Sequence, residues 1–515
     1  MKLLRTIIMF IALPATYIMN AQPVSHDALE KLESYYQKAL TDWNVPGMAV
    51  AIVSNDSILL SRGFGITDIT TRQAVNEHTL FAVASNTKAF TAAALSMLVE
   101  QKQLSWNDKV RKYMPWFALY DPWVSDQMTV RDLLTHRSGL KTFSGDLIWY
   151  GSSYSRREII EKARYLRPAF GFREQFGYSN IMYIAAGELI PVITGHSWDE
   201  YVEQKLLMPL EMRRSTLHVS TLKEKDNVAQ PHTYVEGRLR QIPWVDWDNM
   251  GPAGSLISSA AEMSNWVQMH LNNGVFRGRQ ILAAESVRAM QESVTPLPVS
   301  KSFNERFPST HFRAYGLGWS LFNYHGAKIV THNGGYDGMI SQTVIIPEKG
   351  LGFVILTNAL SNLYYPLMYK TLDVLLGASD DRDWSAEMLA VKEQNETRSR
   401  QERARVEAAR VMQTRPSLPL ADYEGFYGSK VYDSIQVFRR DGQLWLQMMR
   451  TPEFIARLTH WHYDTFEMEF ITQPSLPKGF ATFELDRNGK PWRMNLFLDN
   501  PDFDFTELEP VRLSP

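Results

Sequence analysis

Ser85 and Lys88 lie three positions apart in Phe81-Ala-Val-Ala-Ser85-Asn-Thr-Lys88-Ala-Phe-Thr-Ala-Ala-Ala-Leu95, an S-x-x-K at the head of an apolar helix pattern. On a helix that spacing puts both side chains on one face, within reach of each other. The chemistry it suggests is attack by a serine hydroxyl whose proton the lysine takes, which requires a lowered lysine pKa. Desolvation among Phe90, Ala93, Ala94 and Leu95 and the positive end of the helix dipole would both lower it. No acidic residue lies on the two turns around Lys88 to raise it again. Taken alone, the pair reads more readily as a surface serine beside a solvated lysine, so its accompaniment decides.

Such a pair still needs a group that passes protons and a site for an oxyanion. Phe176-Gly-Tyr178-Ser-Asn180 offers candidates. In an extended loop Tyr178 and Asn180 point the same way. A phenol flanked by lysines loses its proton more easily than usual, and Asn180 can accept from Lys88 and donate to a substrate carbonyl. The segment alone also reads as a buried tyrosine beside a helix cap, because the apolar run Ile181 to Ile190 follows. His332-Asn-Gly334-Gly335 ends a predicted strand, where glycines let a substrate lie along the strand edge. There the Gly335 N–H could join that of Ser85 around an oxyanion. A glycine-rich turn with an incidental histidine is the plainer reading of that piece alone.

In this order, Ser85-Asn-Thr-Lys88, Tyr178-Ser-Asn180 and His332-Asn-Gly334 resemble the three active-site motifs of the class C β-lactamase-like serine hydrolases. That superfamily includes penicillin-binding proteins, D-aminopeptidases, D,D-carboxypeptidases and esterases. Leu133-Leu-Thr-His-Arg-Ser-Gly-Leu140, Pro209-Leu-Glu-Met212, Gly251-Pro-Ala-Gly-Ser255 and Tyr315-Gly-Leu-Gly-Trp319 look like the family too. The resemblance implies Ser85 as the acylated nucleophile, Lys88 as its activator and Tyr178 as a sharer in acid/base work. It implies that Asn180 orients substrate, that His332 and Gly334 line the far wall, and that Gly335 supplies an oxyanion N–H. No cofactor or metal is expected. β-Lactamases of this class carry a lysine in the third motif, where this chain has His332, mostly neutral at pH 7. The expected activity is therefore hydrolysis of small amides or esters through an acyl-enzyme, preferably of peptides containing a D-amino acid. A carboxylesterase or weak β-lactamase is the alternative among enzymes, and a penicillin-binding sensor or scaffold the alternative outside them.

The elements that must hold these residues follow from periodicity. An amphipathic helix pattern runs from Val24 to Trp43, followed by strand patterns at Gly47 to Val53 and Ser57 to Gly63. Strands are expected again at Lys328 to His332, Met339 to Ile346 and Leu351 to Thr357, before a helix from Ser361 to Leu376. Strands at both ends with helices between them predict an α/β (α+β) fold, a β-lactamase-like mixed sheet with flanking helices and a helical insert. Residues 22–378 form that unit, and residues 379–416 read as a charged, solvated helical linker. Residues 417–515 carry hairpins around Asp441-Gly442 and Asn488-Gly489, with strands at Phe466 to Ile471 and Phe503 to Leu508. They predict a small antiparallel, lipocalin-like β-barrel.

Composition narrows the function classes. A net charge of −2 gives no electrostatic footprint for nucleic acid. Lys2 and Arg5, the apolar Ile7 to Tyr17 and a cut after Met19-Asn20-Ala21 make residues 1–21 a signal peptide, so export to a periplasm is expected. Pro14 breaks the apolar stretch, and no later stretch is long enough to span a bilayer. With no cysteine, disulfide and thiol chemistry are excluded. There is no G-x-S-x-G, H-E-x-x-H or Walker pattern. His460-Trp-His462 reads as two solvated histidines rather than a metal site, and Trp244-Val-Asp-Trp247 as either a cleft mouth or a packed cluster. A small-molecule or short-peptide substrate is the expected partner, with the oligomeric state open.

Overall fold

The computed structural model describes residues 24–379 and 381–513. The expected signal peptide lies outside the described residues. Helix α1 (His26–Asp42) leads into strands β1 (Gly47–Ser54) and β2 (Ile58–Gly65). Helices α2 (Thr87–Glu100), α3 (Asn180–Gly187) and α4 (Ala260–Leu271) follow within a largely helical stretch. Strands β3 (Thr295–Leu297), β4 (Arg313–Tyr315), β5 (Ser320–Tyr324), β6 (Ala327–Tyr336), β7 (Met339–Ile346) and β8 (Leu351–Thr357) return to the sheet, and α5 (Tyr364–Leu376) closes it. The sheet has eight strands in the order β2-β1-β8-β7-β6-β5-β4-β3. It joins strands from both ends of the unit, and its pairings are antiparallel.

Helices cover both faces, so β1 and β8 are buried along nearly their whole length. In β1 the period of two sorts the side chains: Met48, Val50 and Ile52 pack towards α1 and α5, while Ala49, Ala51 and Val53 face the opposite core. The alanines leave room for α4 to approach closely. Helix α2 is buried on every side from Thr87 to Leu98, as a helix at the centre of a core must be. Its Phe90 stacks on Trp266 of α4 at 3.9 Å.

The charged run forms α6 (Trp384–Ala408), docked at its start by Trp384, whose indole N–H donates to Asp373 at 2.6 Å. Beyond it, β9 (Gly425–Gly428), β10 (Ile435–Arg440), β11 (Gln443–Met448), β12 (Ile455–His462), β13 (Thr465–Phe470), β14 (Gly479–Leu485), β15 (Pro491–Phe497) and β16 (Val511–Arg512) close into a barrel. One expected strand is corrected: Phe505–Leu508 is a 3-10 turn, capped by the Asp504 side chain, and β16 lies after it. No helix among the described residues is long and apolar enough to cross a membrane.

Candidate active site

Ser85 sits in a 3-10 turn, Ala84–Asn86, immediately before α2. Ala84 adopts φ +46°, a left-handed conformation that costs an alanine energy and aims the next side chain out of the core. The turn is tied down from β7: Asn86 Nδ2 donates to Ser341 Oγ at 2.8 Å, and Ser341 Oγ donates to Val83 O at 2.7 Å. Lys88, one turn on, is fully buried. Its Nζ lies 3.1 Å from Ser85 Oγ, 2.7 Å from Asn180 Oδ1 and 2.8 Å from Ala253 O. Burial lowers its pKa to about 7. An ammonium would satisfy three acceptors there. A neutral amine gives its two protons to the oxygens of Asn180 and Ala253, since neither can donate to it, and turns its lone pair on Ser85.

The expectation that nothing raises the Lys88 pKa holds along the helix but not in space. Asp146, from a separate helical turn (Asp146–Trp149), pulls it upward. No periodic pattern marked this residue. Its one signal was an acid inside the apolar run Phe143-Ser-Gly-Asp-Leu-Ile-Trp-Tyr150.

Asn180 is the first residue of α3, capped by Ser179, whose Oγ accepts from Met182 N. Tyr178 immediately precedes the cap, and Lys88 Nζ lies 4.7 Å from its ring centre. The expectation of an acidified phenol is corrected. Lys88 is the cation on its ring, and desolvation pushes the Tyr178 phenol well above its ordinary value, against a smaller downward pull from Ser85. Tyr178 therefore holds its proton at rest. His136 stacks on its ring at 4.2 Å and accepts the Ser179 N–H at 3.0 Å, pinning the backbone between Tyr178 and Asn180.

The third motif lies inside β6 rather than in a turn at a strand end. Alternation sends His332 and Gly334 to the buried side, while Asn333 and Gly335 are exposed. An added Cβ at Gly334 would stand 2.2 Å from Val83 O and 2.9 Å from Ser85 N, so only glycine lets β6 lie this close to Ser85. Gly335 pairs with Ile340 across the hairpin and would accept a Cβ without a clash. His332 Nδ1 donates to the carbonyl of Asn333 at 2.6 Å, which leaves Nε2 to accept from the Tyr315 hydroxyl at 2.9 Å. Burial lowers its pKa to about 3. It is a neutral, doubly bonded side chain.

The remaining candidates are structural. His460 Nε2 meets Tyr463 O and His462 Nδ1 accepts from Val411 N, and no metal-binding cluster occurs among the described residues. Trp244 and Trp247 pack on Tyr336, at 5.1 and 4.5 Å, as a cluster.

A serine beside a desolvated lysine, a protonated tyrosine and a strand edge, on this sheet, defines a serine hydrolase of β-lactamase-like fold. The chain belongs to the Beta-lactamase family, which it matches over residues 32–372, and residues 409–512 match a domain of unknown function, DUF3471. It is 28% identical to the unguisins hydrolase ungD of Aspergillus violaceofuscus, over 79% of this chain and 76% of that one. The octameric penicillin-binding protein homologue of Pyrococcus abyssi superposes with a TM-score of 0.62 at 23% identity, over 94% of this chain and all of that one. A D-stereospecific amidohydrolase of Streptomyces sp. covers 65% of this chain and 94% of its own, with a TM-score of 0.53 at 20% identity.

Proposed function

We propose that this chain is an exported hydrolase that forms an acyl-enzyme on Ser85 and cleaves small amides or esters, preferably in peptides containing a D-amino acid. The observation that carries the mechanism is the 3.1 Å contact between Ser85 Oγ and a lysine whose other acceptors are fixed. Neutral Lys88 takes the hydroxyl proton as Oγ bonds to the substrate carbonyl carbon. The N–H groups of Ser85 and Gly335 receive the negative oxygen. Tyr178, protonated at rest, hands its proton to the leaving nitrogen or oxygen and recovers it from Lys88. Water then attacks the carbonyl carbon of the ester, Lys88 and Tyr178 take the proton it gives up and pass it to Oγ as the C–Oγ bond breaks, and the acid product leaves.

The preference for a D-residue is supported by the motif resemblance and by the likeness to a D-stereospecific amidohydrolase. His332 argues against efficient β-lactam hydrolysis. A neutral imidazole whose two nitrogens are occupied offers no positive charge to a substrate carboxylate.

A fluorophosphonate probe followed by peptide mass spectrometry should place the label on Ser85 in the wild type and nowhere in Ser85→Ala. In parallel, Ser85→Ala should lose at least about a thousandfold in kcat. Label on another residue would remove the nucleophile. A panel of D-aminoacyl anilides, p-nitrophenyl esters and nitrocefin tests the substrate class, and fast ester turnover without anilide turnover would make the enzyme an esterase.

A further inference from the structure

Asp146 is 3% exposed, and its two oxygens each meet a group that can only donate. Trp149 Nε1 donates to Oδ1 at 2.8 Å, and Asn180 Nδ2 donates to Oδ2 at 2.7 Å. We propose that Asp146 is a positioning residue of the hydrolytic site, acting on Ser85 through Asn180 and Lys88. The inference rests on the reading of Ser85 and Lys88 given above.

Two effects follow from the geometry. The first is orientation. A side-chain amide can face either way unless its partners choose. With a carboxylate on one side, Nδ2 must face Asp146, and Oδ1 is left to face Lys88. Turning the amide over would set two acceptors together and point an NH2 at an ammonium. The fixed Oδ1 holds one proton of Lys88 away from Ser85, which keeps the lone pair of the neutral amine on the hydroxyl.

The second effect is charge. Burial raises the Asp146 carboxyl to about 8 even against the downward pull of its two donors and Lys88, so the case for its charge rests on the hydrogen-bond geometry. A neutral carboxyl would carry a proton with nowhere to go, because its described partners at both oxygens are N–H groups. The pocket is therefore built for the ionised form. That charge opposes the desolvation of Lys88, so the lysine is neither a permanent ammonium nor an amine too weak to take the serine proton.

The test is the pH dependence of Ser85 labelling by the fluorophosphonate probe, in the full chain and in Asp146→Asn. Asparagine keeps the shape but removes the charge and sets one of its own NH groups against a donor. Labelling should slow by about tenfold at its plateau. Its half-maximal pH should fall by about one unit, because an ammonium without its counter-charge loses its proton sooner. A merely loosened fold would admit water to Lys88 and move that pH upward, or leave it unchanged while slowing labelling at every pH. Either result overturns the proposal. If Asp146→Asn does not fold, Trp149→Phe leaves the carboxylate with one donor fewer and should move the half-maximal pH down by less, an unmoved value again being fatal. Failure of the wild type to label at Ser85 would instead remove the nucleophile assignment, and is distinguished by that control.

Discussion

Lys88 is the residue on which the site turns, because its one lone pair has a single available direction. Asn180 Oδ1 and Ala253 O consume two protons, and what remains faces Ser85. With its pKa lowered to about 7, the lysine must lose a proton to act, so kcat/KM should rise with pH through that region and level off above it. A pH–rate profile on a chromogenic ester checks this, and a first limb near the ordinary lysine range would contradict it. Lys88→Arg, permanently charged, should be inactive at every pH. His332 adds no limb between pH 5 and 8, since burial keeps it neutral there.

At the scale of elements, the site is a seam between a strained turn and a strand. The Ala84–Asn86 turn leans on β7 through Ser341, and β6 lies against the turn through Gly334. The second contact leaves no room for a side chain at Gly334. Gly334→Ala would force a Cβ into the Val83 carbonyl and push the strand edge away from Ser85. Misplacement of about 1 Å costs on the order of a hundredfold in rate. Gly334→Ala should therefore lose about that much kcat/KM while still folding, as read by circular dichroism. Gly335→Ala, whose Cβ would make only an ordinary contact with Ile340 Cδ1 at 3.7 Å, should lose far less.

The whole molecule brings the barrel to the same seam. Lys141 pairs with Asp504, and Glu507 Oε2 accepts the Gly145 N–H at 2.8 Å, one residue before Asp146. Tyr150 stacks on Phe454 at 5.2 Å and meets Phe503 edge-on, while its hydroxyl donates to Asp337 just beyond β6. Barrel residues thus grip segment 141–150 at both ends and reach the strand edge through Tyr150. Glu507→Ala leaves the barrel core intact but frees the Gly145 N–H, a charge-assisted bond worth about 1.5–3 kcal/mol. It should lower kcat/KM by about tenfold with little change in the melting temperature of the barrel itself. Unchanged kinetics would reduce the barrel contact to packing.

Much of this site was legible in the sequence because its parts are local. A spacing of three on a helix sets Ser85 against Lys88 whatever surrounds them, and alternation along β6 separates His332 and Gly334 from Gly335. Hairpin turns at Asp441-Gly442 and Asn488-Gly489 likewise announced two strand pairs of the barrel. The 3-10 turn at Phe505–Leu508 was missed because its apolar alternation is that of a strand until the Asp504 cap is seen. Asp146 was missed for a deeper reason. An acid after a glycine reads as any surface turn, and only the packing of segment 141–150 against α3 turns it into the counter-charge of Lys88. The sequence by itself determined that Ser85 stands against Lys88 and that a glycine-bearing strand follows, through short-range geometry. The tertiary structure alone decided the charge state of Lys88, Tyr178 and His332, because burial and the charges brought from distant segments set a pKa, and neither is written in a residue's neighbours along the chain.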